Sequence, residues 1–274
     1  MKTTWSFHTA GAIHFGIGAT EQLSEIVKEL KTKRALLVTD KAIVKAGLAD
    51  HVQSKLSSGG IQVKAFDGGE PEPSIQALLN CYQFAAEWTP DLLVGLGGGS
   101  NMDLAKVVGV LLTYGGTPQD YFGEGKVPGP IMPLIAIPTT AGTGSEVTHA
   151  GVLTDTENNI KVAVASNYLR PNVAVVDPLM TVTCPPKATA DSGIDALTHA
   201  IEAYMATDSS DLEVPAGEIS IYQGRMPLGN CLVESAVPLI VQHLPNAVND
   251  GKNIKAREGM HLGALIAGMG FSNV

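Results

Sequence analysis

Leu92-Leu-Val-Gly-Leu-Gly-Gly-Gly-Ser100 decides the fold. Five residues from Leu92 to Leu96 form an uninterrupted apolar run of strand length, and such a run belongs in a sheet buried on both faces. Three glycines and a serine then open a helical stretch at Asn101. Glycines let backbone amides approach a ligand closely, and a helix start adds partial positive charge. A strand, a glycine turn and a helix in that order suit a pyrophosphate at the carboxyl end of a parallel strand. A tight turn with no ligand is the plain alternative, and the stretch is not the GxGxxG fingerprint of an ordinary Rossmann unit.

The same rhythm extends both ways. Glu21–Leu30 has helical spacing, Ala35–Thr39 reads as a strand ending at Asp40, and a helix over 42–57 is broken at Gly47. Strands follow at 61–66 and 134–137, and helices at 75–87 and 102–112. Alternation of this kind predicts an α/β domain with a parallel sheet covered on both faces. Beyond Asp177-Pro178 and Cys184-Pro-Pro186 the strand signal fades, and three helices read at about 188–206, 232–248 and 254–270. The expected domains are therefore 1–184, α/β, and 185–274, all-helical. Thr207–Asn230 reads as a long excursion between helices.

Composition removes several classes of function. A net charge of -9 and 5% aromatic residues argue against nucleic acid and against an anionic membrane as the main partner. Three widely spaced cysteines without a CxxC pair suit a reducing cytoplasm. The N-terminus lacks an apolar signal core, and no run reaches transmembrane length, so a cytoplasmic protein is expected.

Two further stretches carry chemistry. Ile137-Pro-Thr-Thr-Ala-Gly-Thr-Gly-Ser-Glu146 is a second small-residue loop after a strand, with hydroxyls at Thr139, Thr140, Thr143 and Ser145. Two such loops after parallel strands favour a dinucleotide. Asp40, at the end of an earlier strand, can accept from ribose hydroxyls and would repel a 2′-phosphate, favouring NAD over NADP; a helix N-cap is its ordinary alternative role. In Asp191-Ser-Gly-Ile-Asp-Ala-Leu-Thr-His-Ala-Ile-Glu-Ala-Tyr204, Asp195 and His199 stand i, i+4. On a helix they share one face and could grip one divalent transition metal, although such a pair also arises as a surface contact.

These motifs, in this order, resemble the iron-containing (group III) alcohol dehydrogenases. The resemblance rests on Phe15-Gly-Ile-Gly-Ala19, Val38-Thr-Asp40, Gly97-Gly-Gly-Ser-Asn-Met-Asp-Leu-Ala-Lys106, Pro138–Glu146, Val176-Asp-Pro178 and Asp195–Tyr204. It implies that Asp40, Gly97, Gly98, Gly99 and Ser100 hold the adenosine and pyrophosphate of NAD. Asp103, Thr139, Thr140, Thr143 and Ser145 would line the rest of the cleft, and Lys161 would reach the cofactor. Asp195 and His199 match the family's first two metal ligands, to Fe²⁺ or Zn²⁺. No side-chain general base stands out. Hydride transfer between NAD and a small alcohol or hydroxyacid is the implied activity, in a homodimer.

Two departures accompany it. The segment Leu212–Pro227 resembles an insertion of the hydroxyacid–oxoacid transhydrogenase branch, which loosens the substrate assignment. The family's two remaining ligands, both histidines, would follow a stretch like Ala267-Gly-Met-Gly-Phe-Ser-Asn-Val274. The chain is thus expected to be truncated, to lack those ligands, and to leave apolar faces of 234–248 and 254–270 uncovered. His243 and His261 match neither position, and His261 reads as a packed histidine. A non-catalytic nucleotide-binding fragment is the alternative of another class. Relatives of dehydroquinate synthase and glycerol-1-phosphate dehydrogenase are the alternative within enzymes.

Overall fold

The computed structural model describes residues 4–213 and 220–274. In chain order the elements are β1 (Ala12–Phe15), α1 (Leu23–Leu30), β2 (Arg34–Val38), α2 (Lys41–Lys45), α3 (Leu48–Ser58), β3 (Gln62–Phe66), α4 (Ile75–Trp88), β4 (Leu92–Gly97) and α5 (Gly99–Tyr114). There follow β5 (Gly123–Glu124), β6 (Leu134–Pro138), β7 (Ala150–Asp155), β8 (Ile160–Ala165), β9 (Val173–Val176), α6 (Pro186–Met205), α7 (Pro227–Asn249) and α8 (Ile254–Phe271).

Six strands make one sheet in the order β1-β9-β6-β4-β2-β3, every pairing parallel. All six residues of β4 are buried at its centre, as its apolar run requires. One face is covered by Leu23, Ile26 and Val27 of α1 with Val52 and Leu56 of α3. The other carries Leu78 and Cys81 of α4 with Leu104, Val107, Val108 and Leu111 of α5. The chain runs outward from β2 to β3, then jumps back across β2 to β4. That reversal opens a crevice at the carboxyl ends of β2 and β4, where open parallel sheets take their ligands.

The predicted break at Gly47 is present, because Gly47 takes φ +77 at the N-cap of α3. Five strands lie outside the sequence reading. β1 and β9 have four residues each, and β5 has two. The hairpin β7–β8 is antiparallel and turns through Asn159 at φ +53, not through a two-residue glycine turn, so it lacks the usual hairpin signal. β5 joins β8 to complete this small second sheet, which packs on α5.

From Pro186 onward the described residues are helical or irregular. α6, α7 and α8 meet through alanines, with Ala196, Ala200, Ala203, Ala236, Ala264 and Ala267 all buried. Small side chains let these helices approach closely. The expectation that α8 lacks cover is wrong for this helix. Eleven of its eighteen residues are buried, among them His261 at 0% exposure, because the α/β domain covers the side that α6 and α7 leave. On α7, Leu228 and Val241 do remain exposed. Residues 214–219 of the expected insertion lie outside the described residues.

The α/β and helical parts meet at a tight seam. Gly144, at φ +65, lies back to back with Gly268 of α8, and a Cβ on Gly144 would stand 2.6 Å from the Gly268 Cα. Nearby, Arg170 donates to the Val147 carbonyl (2.7 Å) and to the Ser272 hydroxyl and carbonyl (2.8 Å each). Among the described residues no helix is long and apolar enough to cross a membrane.

Candidate functional site

Two cavities meet at the start of α5. The larger, about 890 Å³, is lined by Asp40, Gly98, Ser100, Thr139 and Thr140, with Gly69 and Thr183 on its walls. The smaller, about 390 Å³, is lined by Gly99, Ser100, Asp103, Thr143, Ser145, Lys161, Asp195 and His199. Ser100 borders both. The structure thus brings every expected site residue except Gly97 to the wall of one or other cavity.

Gly97 acts from behind. It takes φ +143 at the end of β4, and its carbonyl accepts from the Thr139 amide at 2.9 Å, tying the two glycine loops together. Gly98 caps α5 in extended conformation and contributes no side chain. A Cβ on Gly99 would come within 2.7 Å of the Thr143 side chain, so the first turn of α5 and the second loop approach without room for one. Such glycines leave backbone amides as the surface offered to a ligand.

Asp40 is the N-cap of α2. Its Oδ1 accepts from Ala42 and Ile43 (2.8 and 3.0 Å), and its Oδ2 accepts from Asn101 Nδ2 at 2.7 Å. The capping role and the wall position coexist, and the Asn101 bond spans the crevice between β2 and β4.

Asp103 and Ser145 do more internal work than the sequence suggests. The Ser145 hydroxyl donates to Asp103 Oδ1 (2.6 Å) while accepting from Lys106 Nζ (2.9 Å). Asp103 Oδ2 accepts from the Val152 amide at 3.0 Å. Lys106, wholly buried, also donates to Thr148 Oγ1 (3.1 Å) and the Ala150 carbonyl (2.8 Å). α5, the second glycine loop and β7 are therefore joined through one ammonium group. Burial pulls Lys106 down to about 8 against the pull of Asp103 and Glu146, and burial pushes the Glu146 carboxyl up to about 7. Lys161, by contrast, is exposed on β8 and pairs with Glu72 at 2.6 Å across the cavity mouth.

Asp195 and His199 sit one turn apart on α6, as their spacing predicts. His199 Nε2 is 3.6 Å from Asp195 Oδ1, beyond hydrogen-bond length, and its buried Nδ1 has no partner. Neither imidazole nitrogen is consumed by the protein, and the ring stacks on Phe271 with centroids 4.3 Å apart. Ligand atoms about 2.0–2.2 Å from a common ion stand roughly 3–3.5 Å apart. The pair therefore fits an iron or zinc ion as two of its ligands. Among the described residues no group of three His, Cys, Asp or Glu is placed to hold a metal.

Sequence reading passed over Glu72, His149 and Arg170. Lys106, Glu146, Tyr222 and Phe271 stood inside quoted stretches without an assigned role. The i, i+3 spacing of Asp103 and Lys106 was the available signal for that pair; the others come from remote elements and have none.

A profile of iron-containing alcohol dehydrogenases matches residues 10–178, and one of the C-terminal part of Fe-containing alcohol dehydrogenases matches 218–274. Sulfoacetaldehyde reductase of Bilophila wadsworthia is 35% identical over 97% of the chain. The crystal structure of a 1,3-propanediol oxidoreductase superposes over 98% of the chain, with TM-score 0.90 and 36% identity. That of sulfoacetaldehyde reductase from Bifidobacterium kashiwanohense in complex with NAD⁺ covers 99%, with TM-score 0.87 and 31% identity. The chain spans 65%, 66% and 68% of these three proteins.

Proposed function

Because the chain belongs to the iron-containing alcohol dehydrogenase family, we propose that it carries the NAD-holding cleft and two metal ligands of an alcohol oxidoreductase. The observation that supports this reading is the junction at Ser100. Two glycine loops flank the two cavities that meet there, and Asp195 and His199 line the smaller one. The first turn of α5 offers amides to the pyrophosphate, and Thr139, Thr140 and Asp40 line the part that would take the adenosine ribose. Lys161 and Glu72 cover the mouth over the nicotinamide end. Phe271 fixes the His199 ring by stacking.

Asp195 and His199 would hold a divalent iron or zinc ion. Such an ion would supply Lewis acidity, lowering the pKa of an alcohol hydroxyl held beside Asp195 and His199. The chain's own residues position the two partners. The substrate class is a small alcohol or hydroxyacid, and NAD is favoured over NADP by the Asp40 carboxylate.

Calorimetric titration with NADH and with Zn²⁺ tests the reading. NADH is expected to bind, and His199→Ala to weaken Zn²⁺ binding at least tenfold without moving the NADH affinity. Failure to bind NADH sinks the proposal. The second reading, a nucleotide-binding module, draws support from the pair of donors standing without a third among the described residues. It is the one to hold if NADH binds while Zn²⁺ and Fe²⁺ bind no better than to the His199→Ala variant.

A further inference from the structure

Glu72 touches the cleft at two points. Its carboxylate holds the Lys161 ammonium at 2.6 Å, and its backbone amide donates to Ser100 Oγ at 3.2 Å. Among the described residues lining the smaller cavity, Lys161 is the one lysine or arginine, set against the carboxylates of Glu72, Asp103 and Asp195. Ser100 is the residue at which the two cavities meet. An anionic dinucleotide lying across both cavities would turn to this cation and to this hydroxyl. One residue of the chain already engages the two of them.

The backbone shows that this placement is imposed. Glu72 stands at φ +52, in the left-handed region that a side chain disfavours. It also precedes Pro73, and a proline pushes the residue before it toward extended conformation. Such a conformation persists only where surrounding bonds hold it. On the Pro73 side the holding is firm: the Thr154 amide donates to the Pro73 carbonyl at 2.8 Å, and the Ser74 amide to Glu70 Oε1 at 2.9 Å. At Glu72 itself it is slight. Its amide bond is at the long end of the normal range, and both side chains of the ion pair are more than half exposed. An exposed pair shifts an equilibrium by about fivefold at most. The segment is thus pinned beside a contact that opens easily, and opening relieves strain.

We propose that Glu72 is an autoinhibitory stand-in for the cofactor: it occupies Lys161 and Ser100, and the dinucleotide enters by displacing it from both. Only the fraction of molecules in which Glu72 has let go is competent to bind, so apparent affinity is lowered by that fraction. This rests on the NAD reading, and the test separates the two.

NADH binding is followed by its fluorescence, at equilibrium and by stopped flow, in the 274-residue chain and in Glu72→Gln, Lys161→Met and the double variant. Glu72→Gln keeps the size and the backbone amide but loses the charge. It is expected to bind NADH about three- to fivefold tighter, chiefly through faster association. Lys161→Met is expected to weaken binding. In that background Glu72→Gln should change the affinity by no more than about twofold, since the cation it competes for is gone. Glu72→Gly, which also removes the backbone strain, should match Glu72→Gln. An undiminished gain in the Lys161→Met background overturns the proposal, because the carboxylate would then act only through its general field. So does weaker binding or faster release in Glu72→Gln, which would make the contact a clasp that retains the cofactor. If NADH binds to all four chains alike, this proposal falls and the cofactor reading stands. If NADH binds to none of them, the cofactor reading falls and takes this one with it.

Discussion

The glycine-loop half of the cleft and the helical half are built on opposite plans. In the first, glycine backbone lines the cleft and the side chains behind it form a bonded network: Lys106 donates to three acceptors, and Ser145 both donates and accepts. In the second, side chains wall the cleft, and in the helical part behind it His199 Nδ1 and both nitrogens of His261 are buried without partners. A backbone site can be finished by short-range structure. A side-chain site has to be finished by groups from elsewhere, by a ligand, or by an accepted cost.

The largest expected effect would break the self-sufficiency of the first half. Lys106→Ala strands the Ser145, Thr148 and Ala150 acceptors and leaves Asp103 uncompensated. Removing one partner of such a buried ionic group costs about 3–5 kcal/mol. Urea denaturation of the variant checks this, and a loss below 1 kcal/mol would mean that the network is not the clamp described here.

Next comes the seam. Gly144→Ala places a methyl group against the Gly268 backbone at a φ that alanine resists, and should cost roughly 2–3 kcal/mol. The melting temperature should fall, and NADH affinity with it, since Thr143 and Ser145 flank the substitution.

The two halves should also answer pH with opposite sign. His261 is driven down to about 4 by burial, so between pH 4 and 6.5 the unfolded chain binds more protons than the folded one. Its contribution is present above pH 6.5 and lost on acidification, about 3 kcal/mol in all. Glu146, pushed up to about 7, binds its proton more tightly in the folded chain, so it subtracts stability as pH rises from 4.5 to 7. Relative to the unaltered chain, the His261→Leu profile should therefore climb less steeply with pH across that range, and the Glu146→Gln profile more steeply. Parallel profiles would show that the two groups do not act as their burial suggests.

The smallest effect concerns the outer end of the cleft. Asp40→Ala removes the α2 cap, worth about 1 kcal/mol, and takes away the carboxylate that would repel a 2′-phosphate. Thermal melts and the ratio of NADPH to NADH affinity report the two roles separately.

This contrast also explains what the sequence discloses. The β4 run, the glycines after it and the Pro138 loop are local patterns, so the sheet and the glycine wall were legible. Asp195 and His199 were legible because a helix converts their spacing into a shared face. His149, Tyr222 and Ser272 were not, since they converge over 123 residues of chain between His149 and Ser272 with no common period. The hairpin β7–β8 escaped for want of a characteristic turn. The cover over α8 was misjudged because helical spacing shows that a face is apolar without showing what meets it.

The meeting of Gly144 with Gly268 bears on how this molecule can change over generations. The two positions are 124 apart in sequence, yet they form one joint constraint, for each is the other's wall. Neither can acquire a side chain alone, and neither has one to give up in exchange. Drift at this point is closed in both directions, so change must enter through the spacing of the two parts and not through the residues that touch. The seam is then a place where the two parts of the molecule set each other's limits.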